Sequence, residues 1–153
     1  MLTLYRSGLL VVLLAALVVA DSPFYTSSKL GLLVRQPPGW SIEDADGRLL
    51  VVEPGRGARA QFQVVTGKDA REAWKAFAAS RSGLEVLEEI LATSDRLLVL
   101  ARFQEGGASW TGSYLLRPHP GGFLLAASEV RAGADAKLAT WANSVIESAT
   151  PVR

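Results

Sequence analysis

LLVLARFQ-EGGA-SWTGSYLLR-PHPGG-FLLAASEV, residues 97–130, is three apolar runs cut by two glycine-rich turns. Runs of this length, bounded by Gly, Pro and small polar residues, read as β-strands joined by hairpins. The strands are Leu97–Gln104, Trp110–Arg117 and Phe123–Val130, with turns at Glu105–Ala108 and Pro118–Gly122. In the middle run Trp110, Gly112, Tyr114 and Leu116 share one face, opposite Thr111, Ser113 and Arg117, because side chains alternate along a strand. Upstream, Val86–Thr93 reads as a fourth strand entering by Ser94-Asp95-Arg96, although Glu85, Glu88 and Glu89 interrupt its alternation. Turns recurring about every 12 residues predict an antiparallel meander.

Outward from the meander, the period changes. Asp69-Ala-Arg-Glu72 is a capping box, with Asp69 as N-cap and Glu72 three residues on. Ala70, Ala73, Trp74, Phe77, Ala78 and Arg81 then recur at helical spacing up to Ser82-Gly83, which predicts a short helix burying Trp74 and Phe77. Before it lie strand candidates at Leu30–Gln36, Arg48–Glu53 and Ala60–Thr66, separated by Pro37-Pro38-Gly39, by a polar turn at Glu43–Gly47 and by Pro54–Gly57. After the meander, Asp135–Ser148 carries Leu138, Trp141, Ala142, Val145 and Ile146 on one stripe, a closing amphipathic helix. Two striped helices need a sheet to cover. The expected fold is therefore α+β: an antiparallel sheet of six to seven strands with helices on its faces, preceded by an N-terminal hydrophobic helix.

That first segment has one basic residue, Arg6, before an apolar run through Ala20 that includes Leu9, Leu10, Val11, Val12, Leu13, Leu14, Leu17, Val18 and Val19. A basic start and an apolar core describe a secretory signal, with Val18 and Ala20 small enough for cleavage after Ala20. Extended by Leu2, Leu4 and Tyr5, with Arg6 reaching to the interface, the run serves equally as an uncleaved membrane anchor. Either way the rest of the chain is expected on the periplasmic or extracellular side, since positive charge stays in the cytoplasm. The organisation is thus residues 1–20 as signal or anchor, 21–29 as a polar linker and 30–153 as one domain.

With Arg6 set aside, 15 basic and 15 acidic side chains remain. A neutral domain has no electrostatic footprint for nucleic acid. The chain has no cysteine and one histidine, which excludes disulfides, thiolate or clustered-imidazole metal sites, a cysteine nucleophile and a lipidated cysteine. His119 lies between Pro118 and Pro120 and reads as an exposed turn residue. Glu43, Asp44 and Asp46 read as a solvated turn, and the paired glycines as turns needing positive φ. No catalytic residue, metal or cofactor is expected. Of the four tryptophans, Trp74 and Trp141 belong to helix stripes. Trp110, beside the Glu105–Ser109 turn, and Trp40, after Pro38-Gly39, are the candidate partner-binding side chains, with core packing as the competing reading.

Gly31-Leu-Leu-Val-Arg-Gln-Pro-Pro-Gly-Trp40, the Gly121-Gly122-Phe123 start of the last long strand and the closing Val145-Ile-Glu-Ser148 together resemble the PsbP/Mog1/DcrB-like superfamily. The resemblance spans Phe24 to about Pro151 and implies an α-β-α sandwich. It implies binding or assembly roles without a shared catalytic set, and carries over no functional residue. The expectation is a non-catalytic, exported accessory subunit acting by protein–protein binding in a membrane-associated complex. The alternative is a carrier of a small apolar ligand between sheet and helix, lined by Leu97–Ala101 and the alanines of the first helix. A hydrolase using Ser109 or Ser128 with His119 is the third reading.

Overall fold

The computed structural model describes residues 23–153. The apolar run and its cleavage site lie outside the described residues. Among the described residues no helix is long and apolar enough to cross a membrane.

The strands are β1 (Phe24–Ser27), β2 (Leu32–Arg35), β3 (Ser41–Ala45), β4 (Arg48–Val52), β5 (Ala58–Val65), β6 (Glu85–Ala92), β7 (Leu97–Glu105), β8 (Ala108–His119), β9 (Gly122–Arg131) and β10 (Thr150–Pro151). Helix α1 (Ala70–Ala79) follows β5 and helix α2 (Ala136–Ser148) follows β9. Seven strands form one antiparallel sheet in the order β3-β4-β5-β9-β8-β7-β6, and β1-β2-β10 form a second, small one. The fold is α+β, with the helices packed on the large sheet. Three expectations are corrected. The stretch assigned to a linker contains β1, because Phe24–Ser27 finds backbone partners on β2 from Arg35 back to Leu32. Most of the polar turn at Glu43–Gly47 is β3, which pairs with β4 and turns Glu43 outward but Asp44 inward, where it accepts from the Tyr25 hydroxyl at 2.9 Å. The Leu30–Gln36 strand joins the small sheet, not the large one.

Each helix closes a separate core on its own face of the sheet. Ala70, Ala73, Trp74 and Phe77 of α1 pack with Val99, Phe103, Tyr114, Leu125 and Ala127. Ala142 and Val145 of α2 pack with Phe62, Leu124 and Ala126, and with Leu32 and Val34 of the small sheet. The alternation along β9 explains the division: Leu125 and Ala127 face α1, Leu124 and Ala126 face α2. The α1 cap forms as expected at Asp69, whose carboxylate accepts from the Glu72 N–H at 2.8 Å, while Glu72 reaches back to the Lys68 N–H at 2.7 Å. One orphan donor at the helix start, the Glu72 N–H, is thereby satisfied, and the residue before the cap is tied to the first turn.

Candidate functional site

β9 is apolar from Phe123 to Ala127, then places the carboxylate of Glu129 in the interior with no exposed surface. Its register partner on β5 is Arg59, and on β8 Gly112. Oε1 accepts from Arg59 Nε at 2.9 Å and from Gln61 Nε2 at 3.1 Å. Oε2 accepts from Arg81 Nη1 at 3.0 Å and from the Tyr114 hydroxyl at 2.6 Å. Tyr114 reaches Glu129 by lying back over Gly112, where a Cβ would stand 2.7 Å from the ring. Only a glycine leaves that space. Arg59 also pairs with Glu105 at 2.7 Å, so two guanidinium groups meet two carboxylates.

Aromatic faces complete the cradle. Arg59 lies 4.7 Å from the centre of the Trp110 ring and Arg81 lies 4.6 Å from that of Phe103, favourable placements for a cation. Burial, then the charge of Glu129 and its hydrogen bond, push the Tyr114 phenol well above its ordinary range, so it remains a donor. Burial works against the Arg59 charge, but its bonds to Glu105 and Glu129 outweigh burial and raise its pKa. The Arg59 hydrogen bond holds the Glu105 carboxyl low. Every lone-pair direction of Glu129 is thus engaged, as a buried charge requires. The cluster ties the end of α1 to β5, β8 and β9 and leaves no oxygen free to react.

The candidate anchors are not surface residues. Trp110 is 7 % exposed and Trp40 is 6 % exposed. Trp110 shares its face with Tyr114 and Leu116, so strand alternation takes it into the α1 core, stacked on Phe103 at 6.3 Å. Its indole N–H finds no acceptor there. Trp40 packs into the α2 core with Leu30 and Leu49. His119 is half-buried at the end of β8, not exposed: Nδ1 accepts from the Gly121 N–H at 3.2 Å, which leaves Nε2 to donate to the Leu30 carbonyl at 3.1 Å. Both ring nitrogens are bonded to main chain, and neither meets a serine hydroxyl among the described residues.

The free surface lies at the other end of the sheet. All eight residues of the edge strand β6 are exposed, including Val86 at 47 %, Leu87 at 48 %, Ile90 at 52 % and Leu91 at 42 %. Leu91 pairs with Leu98 and Leu98 with Leu115, three leucines in a row across β6, β7 and β8. They lie on the α2 face of the sheet, because Leu115 is opposite Ala126. Yet α2 packs on β9, β5 and β2, and leaves that row at the margin, with Leu98 and Leu115 half-buried. Register shifts at Leu87 and Ile90 break the β6 ladder, and Glu85, Glu88 and Glu89 add charge. Bulges and acids on an edge discourage the addition of another strand, so this surface offers side chains rather than backbone.

No protein-family model matches the chain, and no curated protein sequence is similar to it. Solved structures share its fold. The Ran-binding protein Mog1p of Saccharomyces cerevisiae superposes with a TM-score of 0.59 at 11% identity, covering 87% of this chain and 96% of that one. A point mutant of Mog1 gives 0.58 at 12% identity, covering 86% and 96%. A crystal structure from Bacteroides thetaiotaomicron gives 0.51 at 18% identity and 86% coverage, and the chain spans only 49% of that protein's length. The likeness establishes a Mog1-like architecture for residues that share few identities with it.

Proposed function

We propose that the chain is a non-catalytic protein-binding module, exported and held at a membrane by its N-terminal segment, and that the β6 end of the sheet is its partner surface. The observation that carries this reading is an edge strand exposed along its whole length with four large apolar side chains. Apolar residues concentrated on one strand, in a domain that buries two complete cores elsewhere, mark an interaction surface. Covering such half-exposed side chains returns about 1 kcal/mol each, the apolar part of a contact whose polar rim the partner must complete. Mog1p, a Ran-binding protein, supports this as a fold that binds another protein.

The buried ion cluster favours binding over catalysis, since its one interior carboxylate is fully engaged. The carrier alternative draws no support from the expected place. Leu97, Val99 and Ala101 pack directly with Ala70 and Ala73 of α1 in one core.

Affinity capture of the full chain from gently solubilised membranes, beside a variant carrying Ile90→Lys and Leu91→Lys, tests the proposal. A stoichiometric protein partner retained by the natural chain and lost by the variant is expected. A lone chain, or a variant that keeps the partner equally, counts against it.

A further inference from the structure

A cleft of about 360 Å³ opens between the segment joining β1 to β2, the end of β8 and the residues after α2. This lies at the small end of the range for small-molecule sites. Its wall is mainly apolar, from Leu30, Leu32, Pro118, Leu124, Pro151 and Val152, and its charged members are Lys29 and Arg117. No carboxylate lines it.

Arg117 is half-buried, and Nη2 donates to the Ala149 carbonyl at 3.1 Å, where α2 ends. A guanidinium carries about five N–H donors. The others have no acceptor among the described residues, and neither Arg117, Lys29 nor the neighbouring Arg96 forms an ion pair there. Among the described residues the half-buried cations are Arg59, Arg81 and Arg117, and of these Arg117 alone has no carboxylate partner. Burial and the charge of Arg96 both work against Arg117. Docking against the end of α2 accounts for one donor and for some of the charge. It does not account for two cations facing an apolar, acid-free wall. His119 adds a fixed polar edge, tied to Leu30 and Gly121.

We infer that this cleft binds a small organic anion with an apolar body, a carboxylate meeting Arg117 and Lys29 with its chain against Leu30, Leu124 and Val152. Charge-assisted bonds to a guanidinium fix the carboxylate, and the proline- and leucine-lined wall accepts the chain. The site is separate from the β6 surface and stands whether or not that surface binds a protein.

The test is calorimetric titration of the full chain with hexanoate, with acetate and hexanol as separate arms. Saturable binding of one hexanoate is expected, with acetate and hexanol each at least about tenfold weaker, since each lacks one half of the recognition. Arg117→Gln is expected to weaken hexanoate about tenfold and Arg117→Lys less, with the thermal melt of each variant checking that it folds. Lys29→Glu, an exposed loop position, reverses a charge without touching the core and is expected to weaken hexanoate severalfold. Ile90→Lys should leave it unchanged. No saturable hexanoate binding, equal binding of hexanol, or indifference to Lys29→Glu and to a folded Arg117→Gln overturns the inference.

Discussion

Two strands of the same sheet, β9 and β6, treat their side chains in opposite ways. β9 buries seven of its ten residues and β6 none of its eight. Each carries glutamate among apolar neighbours. On β9, Glu129 is enclosed by Arg59, Arg81, Gln61 and Tyr114. On β6, Glu85 and Glu89 stand at the surface and pair directly with Arg102 and Arg71, at 2.7 and 2.6 Å, with both partners exposed to solvent. A charge in the interior must be matched bond for bond and so fixes the elements that supply the partners. A charge on an open edge contributes little to stability and instead limits what may pair with that edge. The β9 region holds the fold, and the β6 region is available for contact.

The contrast breaks first at Glu129. Glu129→Ala strands two mostly buried guanidinium groups and is expected to lower stability by about 3–5 kcal/mol, read from urea unfolding. A loss below about 1 kcal/mol would mean that water reaches the cluster.

Tyr114→Phe removes one hydrogen bond to that carboxylate and should cost about 1.5–3 kcal/mol. It also sharpens the account through pH. The folded-state pKa of Tyr114 is raised, so its contribution is present below the unfolded value of about 10 and is lost as the pH rises above it. Between there and the folded pKa the loss approaches about 1.4 kcal/mol per pH unit. The natural chain should therefore lose stability above pH 10 more steeply than Tyr114→Phe, in denaturant melts at stepped pH. Parallel slopes would show that the phenol ionises as freely in the folded state.

Asp69→Ala, at the start of α1, is expected to cost about 1 kcal/mol by freeing one N–H. The same melts would read it. Smallest of all is Ile90→Lys on β6, within about 0.5 kcal/mol. A much larger loss would place Ile90 in a core and end the comparison.

Much of this architecture is legible in the residues. The meander from Leu97 to Val130 is visible because its turns are glycine-rich and its faces alternate, and both helices follow from a cap and a stripe. What escapes is set by partners far off in the chain. β1 is four polar and aromatic residues, FYTS, that become a strand only against β2, and β3 hides behind acids suited to a turn. The Glu129 cluster draws on Arg59, Arg81 and Tyr114, which lie 70, 48 and 15 residues away. A lone acid late in an apolar strand is the one local sign of it. The burial of Trp110 follows from its alternation with Tyr114 and Leu116. The exposure of β6 is less readable: its apolar and acidic residues suit either a covered or an open strand, and which it becomes depends on where α2 lands.

The claim that β6 meets a protein is tested most directly by a photo-crosslinking side chain placed at Ile90 in the full chain, with one at Lys75 on the exposed side of α1 as its control. The account predicts a single adduct of defined mass from position 90, absent from position 75, and competed away by added natural chain but not by chain carrying Leu91→Lys. The same adducts from both positions, or none from position 90, would contradict it.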